Sequence, residues 1–391
     1  MNDTIPSFHA RVVKDINEQL VLRLIREHDT ISSTELAAIT EMRPSTVFNI
    51  LKVLSARSLV SFYGKGNSTG KGGKKPFIWT LNRDAAYVIG LDIEVDEMTW
   101  VVLDFTGSLI AKKTVRLKTG TNVDELTDII TKMVDVIIQE NNLDRDKILG
   151  LGIAFAGVVD YKNGIVVMSS VIPEMNFPLL EKLSVLPFPI LIENNANAAA
   201  VSLKWNGNDK LMKNYMMVLV EIDKNVSGLG IGIVIEGELY HGSSFCAGEL
   251  YPHLPSLKEI LTSMRSRFVD SPALAEYASS IESLDMEVLL CAALNGDEIA
   301  KQVFSIIGNI VGQTISPAVA LLNPDTLVIT GNVSEVEDVV IEEMRKAIEM
   351  NVLSLTSNAL NIMADKYHQY SVAVGAAALI LEDYFKLPSV R

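Results

Sequence analysis

The sequence predicts an α/β protein in two parts: a winged helix-turn-helix at the N-terminus, then a body of two similar α/β halves. Three observations predict this. Helical spacing followed by two short β-type runs fills the first 82 residues. An order of three strands, a helix and a further strand opens the body, and a second strand cluster with its own long helix follows. The balance of charge changes sign at the boundary between the two parts. The chain has 391 residues, 48% hydrophobic and 21% charged. That composition fits a globular protein of two or three domains rather than a disordered or fibrous one.

From Lys14 to Glu27, the apolar residues Ile16, Leu20, Val21, Leu24 and Ile25 mark one helical face. A short helix follows over Thr34 to Thr40, with apolar Leu36 and Ile39, and Glu41-Met42-Arg43-Pro44 breaks it. Ser45 and Thr46 open a third helix to about Ser55, with Val47, Ile50, Leu51 and Leu54 inward. Proline is tolerated at such a start because its missing donor would be unpaired anyway. Two short helices joined by a tight turn form a helix-turn-helix pattern. The outward face of the third helix carries Ser45, Thr46, Asn49 and Lys52, with Arg43 just ahead. These side chains can reach base edges or phosphates. Leu59 to Tyr63 and Phe77 to Leu81 then flank a loop rich in glycine and lysine, a hairpin wing. Lys65, Lys71, Lys74 and Lys75 of that wing would neutralise phosphate without reading sequence.

Charge supports the same division. Met1 to Asn82 holds 11 Lys and Arg against 7 Asp and Glu, while Arg83 to Arg391 holds 23 against 41. Met42 to Asn82 contains no carboxylate at all. A cationic module on an anionic body can approach a polyanion while the body is repelled, which orients the encounter. Double-stranded DNA is therefore the expected partner of the first 82 residues. Two cysteines, Cys246 and Cys291, exclude a disulfide framework and a four-cysteine metal site. The apolar run from Val372 to Leu381, with one glycine inside, is too short for a bilayer that needs roughly twenty residues. The N-terminus has no apolar core of a secretory signal. A reduced, cytoplasmic protein with no membrane partner is the expectation.

In the body, Tyr87–Asp92, Thr99–Phe105 and Leu109–Leu117 read as strands, Val123–Gln139 as an amphipathic helix and Ile148–Phe155 as an apolar strand. Tyr215–Glu221, Gly228–Ile235 and Glu238–His241 form a second strand cluster. A long helix at Ile299–Leu322 and a strand at Thr326–Thr330 come after it. Met216 and Met217 read as core filler, and the acidic helix from Ser334 to Met350 as a solvated face. The cleft between two such halves is the default ligand site.

Glycine spacing in Ser227-Gly228-Leu229-Gly230-Ile231-Gly232 lets backbone amides approach an anion closely, though glycines in strands also mark bulges. Around it stand Gly150 to Asp160, Glu193-Asn194-Asn195-Ala196-Asn197-Ala198, Glu236 to Gly242 and Ala247-Gly248-Glu249. Asn323-Pro324-Asp325 and Val374-Gly375-Ala376-Ala377 follow. With these segments the sequence resembles the ROK family of repressors, open reading frames and kinases, from about Asn17 to Phe385. It is similar to that family's repressor branch of xylose and N-acetylglucosamine type, with an N-terminal winged helix. The resemblance implies a two-lobed, actin-like, sugar-kinase-like ATPase fold, a sugar site between the lobes and a homodimer or homotetramer. The expected division is residues 1–82 for DNA binding, 83–198 plus 372–391 for the smaller lobe, and 199–371 for the larger.

The same resemblance argues against catalysis. Kinases of the family look like D-x-G-x-T at the first hairpin, where this chain has Asp92-Ile93-Glu94-Val95-Asp96. Two added carboxylates would face a triphosphate, each repelling it by about 1 kcal/mol even in high dielectric. The family's base is the Asp of Glu-Asn-Asp-Ala-Asn; here it is Asn195, an amide that cannot take a proton. The Gly-Gly of the adenosine side becomes Thr330-Gly331-Asn332. No cysteine lies between Glu249 and Ala273, so the family's structural zinc is not expected. Neither is a cofactor. Sugar recognition remains: carboxylates and amides clamp vicinal hydroxyls. By matching position, Gly157, Asn194, Asn195 and Glu249 would contact the sugar, with Asn176 and His253 as further candidates. The sequence thus predicts a sugar-responsive repressor. An active sugar kinase with an appended DNA-binding domain is the alternative, and control by a protein partner is also permitted.

Overall fold

A computed structural model describes residues 8–66, 76–118, 120–205, 212–250, 254–278 and 280–387. The N-terminal part runs α1 (Phe8–His28), β1 (Ile31–Ser32), α2 (Ser33–Thr40), α3 (Pro44–Ala56), β2 (Val60–Lys65) and β3 (Phe77–Leu81). α1 begins six residues before Lys14, because its apolar stripe starts only at Ile16 and the earlier residues give no periodic signal. Ser32 caps α2 in a reciprocal box: its Oγ accepts from Glu35 N–H at 3.1 Å, and Glu35 Oε2 accepts from Ser32 N–H at 2.9 Å. Glu41 adopts the left-handed conformation (φ 55°) and stops α2, and Pro44 starts α3. Leu36, Val47, Leu51 and Leu54 bury against Val21, Leu22 and Ile25. The sheet order β1-β3-β2 is antiparallel throughout, which is the wing.

The body opens with β4 (Tyr87–Ile93), β5 (Glu97–Asp104), β6 (Leu109–Arg116), α4 (Val123–Glu140) and β7 (Ile148–Phe155). Next come the β8 (Gly157–Asp160) and β9 (Ile165–Ser169) hairpin, α5 (Leu179–Lys182), β10 (Ile190–Asn194) and α6 (Asn195–Leu203). The second half holds β11 (Tyr215–Glu221), β12 (Gly228–Ile235), β13 (Glu238–Leu239), α7 (Leu257–Met264), α8 (Met286–Leu294) and α9 (Glu298–Leu322). β14 (Thr326–Gly331), α10 (Glu337–Asn351), α11 (Ser354–Ala359), β15 (Asn361–Ala364) and α12 (Ser371–Phe385) complete it. The two five-stranded sheets have orders β10-β7-β4-β5-β6 and β13-β12-β11-β14-β15. Each is an antiparallel meander whose first strand also pairs in parallel with a later one, so the halves share one topology.

α6 and α12 pack against each other between the sheets, α12 on β4 and β7 and α6 on β11 and β12. Met216 and Met217 are buried in β11, as core filler should be. α10 is solvated only on its outer side. Its Val340, Met344, Ala347 and Ile348 are buried, and α10 packs along α9. The acidic composition hid that stripe. Among the described residues α9 alone has the length and composition to cross a bilayer, and here Val303, Phe304, Ile307, Val311 and Ile315 lie buried in the second half's core.

The winged helix is not an isolated bead. Its core continues through Val88, Phe105, Trp205 and Phe385 of the body. Arg26 of α1 lies in that seam, where burial lowers its pKa and Glu382 opposes the shift.

Candidate functional site

The site is built where β7 ends, β8 starts and β10 passes into α6. Gly157 begins β8 with φ 136°, and a Cβ there would lie 2.2 Å from the Met168 carbonyl, so only glycine fits. Its own carbonyl accepts from Asn194 Nδ2 at 2.7 Å. The same amide nitrogen donates to Glu249 Oε1 at 3.2 Å. Asn194 Oδ1 accepts from Asn197 N–H at 3.0 Å, the N-cap of α6. One amide thus ties together the first lobe, the helix start and the carboxylate of the second lobe. Burial raises the pKa of Glu249, and the Asn194 hydrogen bond opposes that shift.

Behind Asn194, Glu193 is buried and fully engaged. Its Oε1 accepts from Asn194 N–H at 2.9 Å and Asn197 Nδ2 at 3.0 Å, and Oε2 meets His241 Nε2 at 2.8 Å. His241 stacks on Tyr161 with ring centroids 3.8 Å apart, and Phe245 meets Tyr161 edge-on. This aromatic wall bridges the two halves. Glu193 and His241 lie within the Glu193–Ala198 and Glu236–Gly242 segments, whose sequence assigns them no role. Tyr161 carried no signal, because its partner lies eighty residues away.

The opposite side of the cleft differs. Asp92 is the penultimate residue of β4, Glu94 directly follows the strand and Glu221 ends β11. Asn195 hydrogen-bonds Glu94 and also accepts from Ala196 N–H at 2.9 Å. Burial, reinforced by Glu94 and Glu221, raises the pKa of Asp92 well above normal, and its Oδ1 is buried without a hydrogen-bond partner. Burial pushes Glu94 to about 7 despite the Asn195 bond, and burial together with Glu94 pushes Glu221 to about 8. Asn332 turns back onto the chain, bonding Ile222 N–H and carbonyl at 3.0 Å each. Burial and mutual proximity thus hold these three acids toward their protonated, neutral forms. Among the described residues no three of His, Cys, Asp and Glu are arranged to hold a metal. Cys246 and Cys291 are free thiols.

Of the other sequence candidates, Asn176 is exposed with φ 55°, and its N–H donates to the Val167 carbonyl on the hairpin that carries Gly157. His253 lies outside the described residues. On the winged helix, Arg43, Ser45, Thr46, Asn49 and Lys52 are all exposed along α3, and Lys65 is exposed at the end of β2. Lys71, Lys74 and Lys75 lie outside the described residues. Sequence reasoning missed Phe48, which is 54% exposed on the same stripe as Ser45, Asn49 and Lys52. Its i, i+3, i+4 spacing with them was the available signal.

The sequence profile of the ROK family matches residues 88–256 and 267–383. The chain is 25% identical over 389 residues to the xylose repressor of Bacillus subtilis (strain 168), spanning 96% of this chain and 97% of that one. Its fold is similar to that of a ROK family transcriptional regulator, a homologue of the E. coli MLC protein. The TM-score is 0.73 at 19% identity, covering 96% of this chain and 98% of that one. A ROK family glucokinase from Streptomyces griseus, in complex with glucose and AMPPNP, matches with a TM-score of 0.63 at 22% identity, covering 75% of this chain and 99% of the kinase. The fold is therefore the two-lobed, actin-like body of sugar kinases, with N-terminal helices in addition.

Proposed function

The chain belongs to the ROK family, and on that premise we propose that it is a sugar-responsive repressor of carbohydrate-utilisation genes, without phosphotransferase activity. One observation carries the reading. Asn195 stands where a base is needed, bonded to Glu94 on a carboxylate-lined phosphate side. An amide cannot accept the hydroxyl proton, and the carboxylates disfavour a triphosphate. Likeness to a xylose repressor over nearly the full chain supports the same class and weighs against the appended-kinase alternative.

In this reading the sugar is bound by Gly157, Asn176, Asn194, Asn195, Glu249 and His253. Its hydroxyls exchange with the Asn194–Glu249 hydrogen bond, which suits paired recognition. Arg43, Ser45, Thr46, Asn49 and Lys52 contact the operator, Phe48 adds apolar contact to a thymine methyl, and Lys65, Lys71, Lys74 and Lys75 neutralise phosphates. Residues 1–82 act as the reading head, 83–198 with 372–391 as the smaller lobe and 199–371 as the larger. A cytoplasmic homodimer or homotetramer presents two heads to two operator half-sites. Sugar binding changes operator affinity by its differential affinity for the two arrangements of the heads.

The test is calorimetric titration with D-xylose, D-glucose and N-acetyl-D-glucosamine, alongside binding to a duplex from the protein's own promoter region. One sugar is expected to bind and to change operator affinity. Hexose-dependent ATP consumption would overturn the reading.

A further inference from the structure

α6 has its two ends in two different places. Its N-terminus carries Asn194 and Asn195 in the cleft. Its C-terminus holds the winged helix. The carbonyl of Lys204, the C-cap, accepts from Arg26 Nη2 of α1 at 2.9 Å. The Arg26 guanidinium lies 3.6 Å from the centroid of the Trp205 ring. Glu382 of α12 closes the cluster: its Oε1 accepts from Trp205 Nε1 at 2.8 Å and meets Arg26 Nη2 at 3.3 Å, and its Oε2 meets Lys204 Nζ at 3.4 Å. Arg26 is only 11% exposed in its side chain, so this contact is sealed from solvent screening.

Between its ends α6 is stiffly held. Residues Ala196 to Leu203 are all buried. A Cβ on Gly375 of α12 would lie 1.7 Å from the Ala198 carbonyl, and one on Gly232 of β12 would lie 2.3 Å from the Ala196 carbonyl. Backbone thus meets backbone on both sides, with no long side chain to absorb a shift. Nine residues at about 1.5 Å each make a rod of about 14 Å. A rigid element of this kind moves as a unit, and close-packed surroundings switch between arrangements rather than deform continuously.

We propose that α6 is the coupling rod between cleft and operator, and that Arg26 is the positioning residue through which a displacement of α6 reaches the winged helix. The inference rests on the reading that the cleft takes a sugar. Hydroxyls that replace the Asn194–Glu249 bond pull on the cap of α6, and the Lys204 carbonyl and Trp205 ring carry the movement to α1. Arg26 lies apart from the α3 residues assigned to the operator.

The test uses the full chain with Arg26→Ala and Arg26→Lys, and Trp205→Phe in case either fails to fold, as judged by circular dichroism. Operator Kd is measured with and without saturating D-xylose, D-glucose or N-acetyl-D-glucosamine, and sugar Kd with and without operator. In the wild type the sugar changes operator Kd by a factor in the range of about 5 to 150 usual for coupled sites, and operator changes sugar Kd by the same factor. In Arg26→Ala both factors shrink to below about twofold, while each ligand alone binds within about threefold of wild type. Arg26→Lys, which keeps charge but not the planar fork, gives an intermediate factor. Folded variants that keep the full reciprocal factor overturn the coupling role. A wild type that binds none of the sugars overturns the sugar reading instead, and the coupling with it.

Discussion

The two sides of the cleft use the same residue types to opposite effect. On one side Glu193 and Glu249 each have amide donors, and Glu193 alone accepts from a backbone N–H, an Asn and a His. On the other side Asp92, Glu94 and Glu221 face mainly one another, with Asn195 their donor to Glu94. A hydrogen bond opposes the pKa rise that burial imposes on a carboxylate, as Asn194 does for Glu249, whereas neighbouring acids reinforce it, as Glu94 does for Glu221. The first arrangement suits neutral polyols, which bring donors of their own. The second offers an anion no cationic partner among the groups that act on these acids.

The comparison breaks most sharply at Glu193. Glu193→Ala leaves buried Asn197 Nδ2 and the Asn194 N–H without their acceptor, at about 1–3 kcal/mol for each donor. A fall of several degrees in Tm and loss of sugar binding are expected by thermal denaturation and calorimetry; unchanged stability would mean that water serves these donors equally well. Asn194→Ala comes next. Loss of the cap costs about 0.5–2 kcal/mol, and Glu249, deprived of its donor, shifts further upward in pKa. Sugar affinity should drop at least about tenfold, the equivalent of 1.4 kcal/mol.

The other side is sharpened by pH. The folded pKa values of Glu94 and Glu221, about 7 and about 8, lie above the ordinary 4.5. Between pH 4.5 and about 8 the unfolded chain has released protons that the folded chain retains, so stability falls as pH rises through this window and levels off above it. Glu221→Gln removes that contribution, so its Tm should exceed the wild type's at pH 8.5 and approach it at pH 5. Parallel Tm curves would show that Glu221 titrates normally. The smallest effect is expected for Asn195→Asp. Restoring a carboxylate beside Glu94 leaves the phosphate side acidic, so a coupled ATPase assay should read no turnover with any hexose. Measurable turnover would mean that the missing base alone silenced the chemistry.

Much of this is legible in the sequence. The polar face of α3 follows from apolar spacing at Val47, Ile50, Leu51 and Leu54, which leaves Ser45, Asn49 and Lys52 outward. Asn194 and Glu249 were found through their motifs, and they do meet. The stripe under acidic α10 and the aromatic wall of Tyr161 and His241 were not found. In the first, composition masked periodicity; in the second, no local pattern encodes a stack between residues far apart in sequence.

What the sequence by itself determined was local: which segments are helix or strand, where caps and breaks fall, which face of α3 is polar, and that Asn195 is an amide. Helical period, capping and side-chain chemistry act over a few residues and need no knowledge of neighbours. Only the tertiary structure decided which carboxylates find donors and which find each other, and that Arg26 reaches across 178 residues to the Lys204 carbonyl. Burial sets the protonation of an acid and the hold on a guanidinium, and burial belongs to the packed whole.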